Sequence, residues 1–125
     1  MEDLEAAYFV GFDVGSSAVH YVVLGEDKRL VYSPEPIMHF ADPIGAIKEA
    51  WADVTRRLRE RRIKSTAFTG SNAKSFPRVI DRLTYDFDSV SIPRGAELVS
   101  PEAQYIFHIG AKDSFFFSLK QIRNK

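Results

Sequence analysis

The sequence predicts an α/β fold: a mixed sheet that opens with an antiparallel meander and carries flanking helices. Three observations predict it. Near the start, three short runs rich in aromatic and β-branched residues follow one another across tight turns. Residues 42–61 then place apolar side chains at helical spacing, and further short apolar runs alternate with helical stretches. The 125 residues are 45% hydrophobic, enough for one compact domain, or for one domain and part of another.

Taken in order, residues 8–14, 19–24 and 29–33 read as strands, with Gly25-Glu26-Asp27-Lys28 as the second turn. Asp42-Pro43 starts a helix, the aspartate as N-cap and the proline in the first helical position. Ile44, Ile47, Trp51, Val54 and Leu58 form its apolar face, which is expected to lie on the sheet with Trp51 in the core. That helix is expected to end near Arg61. Residues 66–69 form a fourth strand that stops at Gly70. Phe76, Val79, Ile80 and Leu83 predict a second, shorter helix, residues 87–91 a weak strand, and residues 95–99 a helical turn or short helix. Residues 105–109 and 115–119 close as a hairpin.

Charge and composition exclude several functions. Seventeen basic and seventeen acidic side chains cancel, so no global charge draws the chain to nucleic acid or to a membrane surface. The run Arg56, Arg57, Arg59, Arg61, Arg62 and Lys64 falls at the C-terminal end of the long helix, where it complements the helix dipole. Asp42, Glu49 and Asp53 come earlier in that helix, and no aromatic platform for nucleotide bases interleaves with the arginines. Cysteine is absent, which removes disulfides and thiolate chemistry from this stretch and fits a cytoplasmic setting. No apolar run approaches the ~18–20 residues of a spanning helix, and the acidic N-terminus lacks a secretion signal's basic start. His20, His39 and His108 show no ligand spacing and read as surface or packing residues.

The chemistry concentrates in two turns. Phe12-Asp13-Val14-Gly15-Ser16-Ser17 lies between apolar runs, as does Ile109-Gly110-Ala111-Lys112-Asp113-Ser114. A glycine lets backbone approach a phosphate, turn amides and hydroxyls bind its oxygens, and a carboxylate holds Mg²⁺ or its water. The plain alternative is two hairpin turns, since Asp, Gly and Ser are common in turns. Thr69-Gly70-Ser71-Asn72, polar after a strand, either lines a nucleotide cleft or is an ordinary loop.

These residues resemble the actin, Hsp70 and sugar-kinase superfamily, and within it the BadF/BadG/BcrA/BcrD group. Those are the ATPase activators (activases) of 2-hydroxyacyl-CoA dehydratases and benzoyl-CoA reductases. Gly11-Phe12-Asp13-Val14-Gly15-Ser16-Ser17 is similar to their first phosphate loop. Thr69-Gly70 and Arg94-Gly95-Ala96 match two intervening segments, and His108-Ile109-Gly110-Ala111-Lys112-Asp113-Ser114 their second phosphate loop. The departures are His108 for an aspartate, Ala111 for a glycine, Lys112 for a glutamine, and Ala18-Val19-His20 for Thr-Thr-Lys.

The resemblance implies a ribonuclease H-like, actin-like ATPase lobe over residues 1–104 and the opening hairpin of a second lobe over 105–125. It implies ATP with Mg²⁺, the metal at Asp13 through water, and phosphate contacts from Gly15, Ser16, Ser17, Thr69, Gly70, Gly110 and Ser114. Asp13 and Asp113 take the catalytic positions. A CoA-thioester dehydratase or reductase is the implied partner, and the family's four-iron four-sulfur cluster, which bridges a homodimer, has no ligand in this chain. The apolar run 115–117, with few residues after it, leads us to expect an N-terminal piece of a longer protein, its last hairpin open to edge pairing. Such a piece alone is expected to bind nucleotide weakly. Two alternatives stay open: a non-catalytic regulatory module of the same fold, which His108 and Ala111 favour, and a small-molecule kinase of the superfamily.

Overall fold

The computed structural model describes residues 6–59, 62–74 and 83–119. They fall in two compact units, Met1–Tyr85 and Asp86–Lys125. In the first, β1 (Ala7–Val14), β2 (Ala18–Gly25) and β3 (Leu30–Tyr32) form the expected antiparallel meander. A two-residue strand, β4 (Ile37–Met38), pairs with Ala18 and Val19 at the start of β2. After α1 (Pro43–Leu58), β5 (Arg62–Thr69) runs parallel to β1, and β6 (Leu83–Tyr85) runs parallel to β5. The order across the sheet is β3-β2-β1-β5-β6.

The strands alternate as their sequences do. Val10, Phe12 and Val14 on β1, Val19, Tyr21 and Val23 on β2, and Thr66 and Phe68 on β5 are buried on one face. Phe12 stacks on Phe68 with ring centroids 4.8 Å apart, and Tyr21 stacks on its other side at 6.1 Å. Burying side chains of this size stabilises by about 1.5–3 kcal/mol each. The opposite face carries Phe9, Gly11 and Asp13 of β1, all half-buried.

Helix α1 covers the first face, and its start is as the sequence predicts. The Asp42 carboxylate accepts from the Gly45 amide at 3.0 Å, and Pro43 stands in the first turn. On the covered stripe Val54 and Leu58 are buried as expected and Ile47 is partly buried against the core, but Ala46 and Ala50 complete it in place of Ile44 and Trp51. Two alanines let the helix backbone approach the sheet closely, which turns the bulkier neighbours to its flank. Trp51 is therefore 37% exposed and Ile44 56% exposed, so Trp51 is a flank residue whose ring lies tilted to that of Phe12, centroids 6.1 Å apart. The helix also ends at Leu58, short of Arg61, with Arg59 at φ 53° as its cap.

Asp53 ties α1 to the sheet. Its carboxylate accepts from the Tyr21 hydroxyl at 2.8 Å, the Tyr32 hydroxyl at 2.7 Å and Arg56 at 2.9 Å. Arg57 also lies over the Tyr32 ring, 3.9 Å from its centroid. Burial alone would raise the Asp53 carboxyl, but the bonds from Tyr32, Tyr21 and Arg56 and the charge of Arg57 outweigh it and hold the group low. Burial first, then the bond to Asp53, raises both tyrosines above the ordinary phenol range. A carboxylate held low stabilises the fold above its unfolded value near 3.8 and loses that contribution as pH falls further. Raised tyrosines stabilise below their unfolded value of 10.0 and lose that contribution as pH rises beyond it. Asp53→Ala is expected to cost about 1–3 kcal/mol at neutral pH, because two tyrosine hydroxyls lose their acceptor. Urea unfolding at pH 7 and at pH 3 checks both parts: the loss should be larger at the first than at the second.

The second unit holds α2 (Asp88–Val99) and the hairpin of β7 (Tyr105–Ile109) with β8 (Ser114–Ser118). The hairpin matches expectation. The expected strand at 87–91 does not form; helix α2 takes residues 88–91, and the strand is β6, a few residues earlier. Parallel pairing of Leu83, Thr84 and Tyr85 with Thr66, Ala67 and Phe68 decides this, an edge that no local pattern announces. Leu83 accordingly lies in a strand rather than in the predicted second helix; Phe76, Val79 and Ile80 lie outside the described residues. Pro93 sits buried inside α2, which begins well before the helical turn or short helix expected across residues 95–99. Of the basic run, Arg56 and Arg57 are in the last turn of α1, Arg62 and Lys64 are on β5, and Arg61 lies outside the described residues.

Candidate functional site

Parallel strands β1 and β5 lie side by side and end together, so the turns that follow them share one edge of the sheet. Asp13 pairs in register with Thr69 on β5 and with His20 on β2. Neighbours of this kind hold their Cβ atoms roughly 4.5–5.5 Å apart on one face. Asp13, Thr69 and His20 thus share the face opposite α1. Gly15-Ser16-Ser17 and Gly70-Ser71-Asn72-Ala73 follow directly, the second beginning a 3-10 turn at Ser71–Ala73. Six sequence-predicted residues, Asp13, Gly15, Ser16, Ser17, Thr69 and Gly70, are gathered here.

Gly70 is required by geometry. Its φ is 99°, and a Cβ there would strike the Val14 carbonyl oxygen and lie 2.7 and 2.8 Å from the Val14 carbonyl carbon and amide nitrogen. The two turns are therefore in backbone contact. The Gly70 carbonyl accepts from the Ala73 amide at 3.1 Å and from the Tyr85 hydroxyl at 3.3 Å, which anchors the second turn to β6.

Two residues outside the predicted set hold the first turn. The Gly15 carbonyl accepts from Asn72 Nδ2 at 2.9 Å and faces His39 Nε2 at 3.0 Å. The Ala41 amide donates to His39 Nδ1 at 3.2 Å, so the ring proton belongs on Nε2, which donates to Gly15. The His39 amide in turn donates to the Ser17 carbonyl at 3.0 Å, and the Gly15 amide to the Ala18 carbonyl at 3.0 Å. These bonds use the Gly15 amide and the carbonyls of Gly15, Ser17 and Ala18. The amides of Ser16 and Ser17 are not among them. Sequence pattern offered no route to His39, which reaches Gly15 only because β4 pairs with β2. Asn72 was legible only as part of a polar loop.

The second turn of the sequence reading lies in the other unit. The Gly110 amide donates across it to the Asp113 carbonyl at 2.8 Å, and Ser114 opens β8 opposite Ile109. Gly110, Asp113 and Ser114 thus form a closed hairpin turn, exposed throughout. Among the described residues, no three His, Cys, Asp or Glu side chains gather as a metal site. No helix among them is long and apolar enough to cross a membrane.

A meander, a return through a helix and parallel strands beyond it make an α/β lobe of the ribonuclease H-like, actin-like ATPase class. The chain is similar to a solved structure described as the activator of the 2-hydroxyisocaproyl-CoA dehydratase from Clostridium difficile with bound ADPNP. The TM-score is 0.70 at 26% identity, over 89% of this chain and 40% of that one. It is also similar in fold to the Acidaminococcus fermentans (R)-2-hydroxyglutaryl-CoA dehydratase component A, at TM-score 0.70 and 20% identity, over 90% of this chain and 43% of that one. No protein-family model matches the chain, and no curated protein matches it. The likeness to dehydratase activators read from the phosphate-loop residues is therefore met in three dimensions. The chain spans 40–43% of the length of these two structures.

Proposed function

We propose that this chain supplies the first phosphate-binding lobe of an ATP-hydrolysing activase that serves a 2-hydroxyacyl-CoA dehydratase or a related CoA-thioester reductase. The observation that carries the reading is the shared edge of β1 and β5. There one carboxylate and the Ser16 and Ser17 amides outside the turn's own bonds meet a backbone approach that only glycine permits. The bound ADPNP of the Clostridium difficile activator, at 26% identity, supports a nucleotide as the ligand. Asp13 would hold Mg²⁺ through water, with phosphate and solvent oxygens completing its shell. The metal, when bound, neutralises phosphate charge. Gly15, Ser16 and Ser17 bind phosphate oxygens, and Thr69 and Gly70 close the same edge. Gly110, Asp113 and Ser114 would be the phosphate-binding turn of a second lobe, the opening hairpin of which is residues 105–125. Catalysis in this reading is positioning and charge neutralisation. The setting is cytoplasmic, and a homodimer follows from the family's bridging cluster, the cysteine of which this chain does not carry.

A regulatory module of the same fold is the second reading. The closed Gly110-to-Asp113 bond favours it, because that amide is already satisfied, as do His108 and Ala111. Calorimetric titration of the intact protein with Mg·ATP separates the two. The activase reading predicts saturable binding and phosphate release without any acceptor; no binding at millimolar nucleotide favours the regulatory module. ADP formation only in the presence of an acceptor, with the phosphoryl group carried on that acceptor, would point to a kinase.

A further inference from the structure

We propose that His39 and Asn72 are positioning residues for the Gly15–Ser17 turn, acting on the direction of the Ser16 amide; the inference rests on the phosphate reading of that turn. The peptide group is planar, with its carbonyl and its N–H on opposite sides. Fixing the Gly15 carbonyl therefore fixes the Ser16 N–H, which points away from whatever holds the carbonyl. Two donors hold it, His39 Nε2 at 3.0 Å and Asn72 Nδ2 at 2.9 Å, from segments 24 and 57 residues distant in sequence. They occupy both lone pairs of that oxygen. Without them, the glycine beside this peptide leaves it free to flip. The flip would aim a carbonyl oxygen where a phosphate must sit and withdraw the amide that should meet it.

The construction around His39 is unusually determined. His39 is 7% exposed. Its amide holds the Ser17 carbonyl, its carbonyl accepts from the Asp42 amide at 2.7 Å, and its Nδ1 accepts from the Ala41 amide. The chain leaves His39 through Phe40 and Ala41 at φ 45° and 68°, two successive non-glycine residues in left-handed conformation. Such strain persists where surroundings over-determine it, and it collects at ligand sites. Phe40 is 87% exposed, so its own burial does not explain the conformation. Asn72 is exposed as well, and packing does not explain its bond to Gly15.

The test compares wild type, Asn72→Ala, His39→Ala and His39→Gln. Asn72→Ala, at an exposed site, keeps the test valid should His39→Ala fail to fold. Without nucleotide, ring nitrogen shifts should show His39 as the Nε2–H tautomer. Amide exchange at Gly15 should quicken in Asn72→Ala while exchange at Ala50 and Val54 stays unchanged. With Mg·ATP as the probe, Asn72→Ala and His39→Ala should each weaken the response of the Ser16 amide by about tenfold, the loss of one hydrogen bond. His39→Gln, which keeps a donor, should recover most of it. An Nδ1–H tautomer, or unchanged exchange at Gly15, overturns the inference. So does wild-type binding that both single variants retain in full. If wild type gives no nucleotide response, the phosphate reading fails, and the two ligand-free measurements still decide whether His39 and Asn72 hold the turn.

Discussion

Gly70→Ala is expected to lower stability by about 3 kcal/mol or more, the largest effect of a methyl group added at any of the glycines. Two penalties add. Left-handed backbone at φ 99° disfavours any side chain, and the new Cβ would meet three backbone atoms of Val14. Backbone cannot rotate away as a flexible side chain can. Relief requires that β1 and β5 separate at their ends, where Asp13 and Thr69 are paired. For a unit of this size the loss corresponds to a drop in Tm of more than about 10 °C. Gly95→Ala is the matched control. Gly95 is exposed in α2, with nothing within 4 Å of an added Cβ. There the same methyl should stabilise by about 0.5–1 kcal/mol through helix propensity. Thermal unfolding of both variants by circular dichroism checks the pair; equal effects would contradict the account of Gly70.

The second large effect is functional. Asp13→Asn keeps the size of the side chain and its place between His20 and Thr69, but removes the charge that a hydrated Mg²⁺ needs. Phosphate release by the intact protein is expected to fall about 100-fold or more, the scale set by removal of one electrostatic group from a reacting centre. Nucleotide binding should also lose its dependence on Mg²⁺. Release rates within threefold of wild type would show that Asp13 is not the metal's carboxylate.

How much of this could be read beforehand depended on distance along the chain. The β1–β2 turn, the start of α1 and the β7–β8 hairpin are local, each fixed by residues within a few positions, and the sequence showed them. Helix α1 was found, with Val54 and Leu58 on its buried face, but hydrophobicity also favoured Ile44 and Trp51 there, whereas close packing on a sheet favours Ala46 and Ala50. Strand β4 has two residues and no period to detect, and β6 exists through its pairing with β5. Helix α2 begins without a side-chain cap and contains Pro93 and Gly95, so its local signals spoke against it. The site divides in the same way. Asp13 through Ser17 form a contiguous motif, and Thr69-Gly70 ends a recognisable strand. His39 and Asn72 converge on Gly15 only through the fold.

The central claim is that the paired ends of β1 and β5 receive a phosphate tail. Titration of ¹⁵N-labelled protein with Mg·ATP at millimolar concentration, followed amide by amide, tests it most directly. Saturable shifts concentrated at Gly15, Ser16, Ser17, Thr69 and Gly70, absent with adenosine alone, are the expected result. No shifts there, or shifts confined to the arginine-rich end of α1 or to the β7–β8 turn, would contradict it.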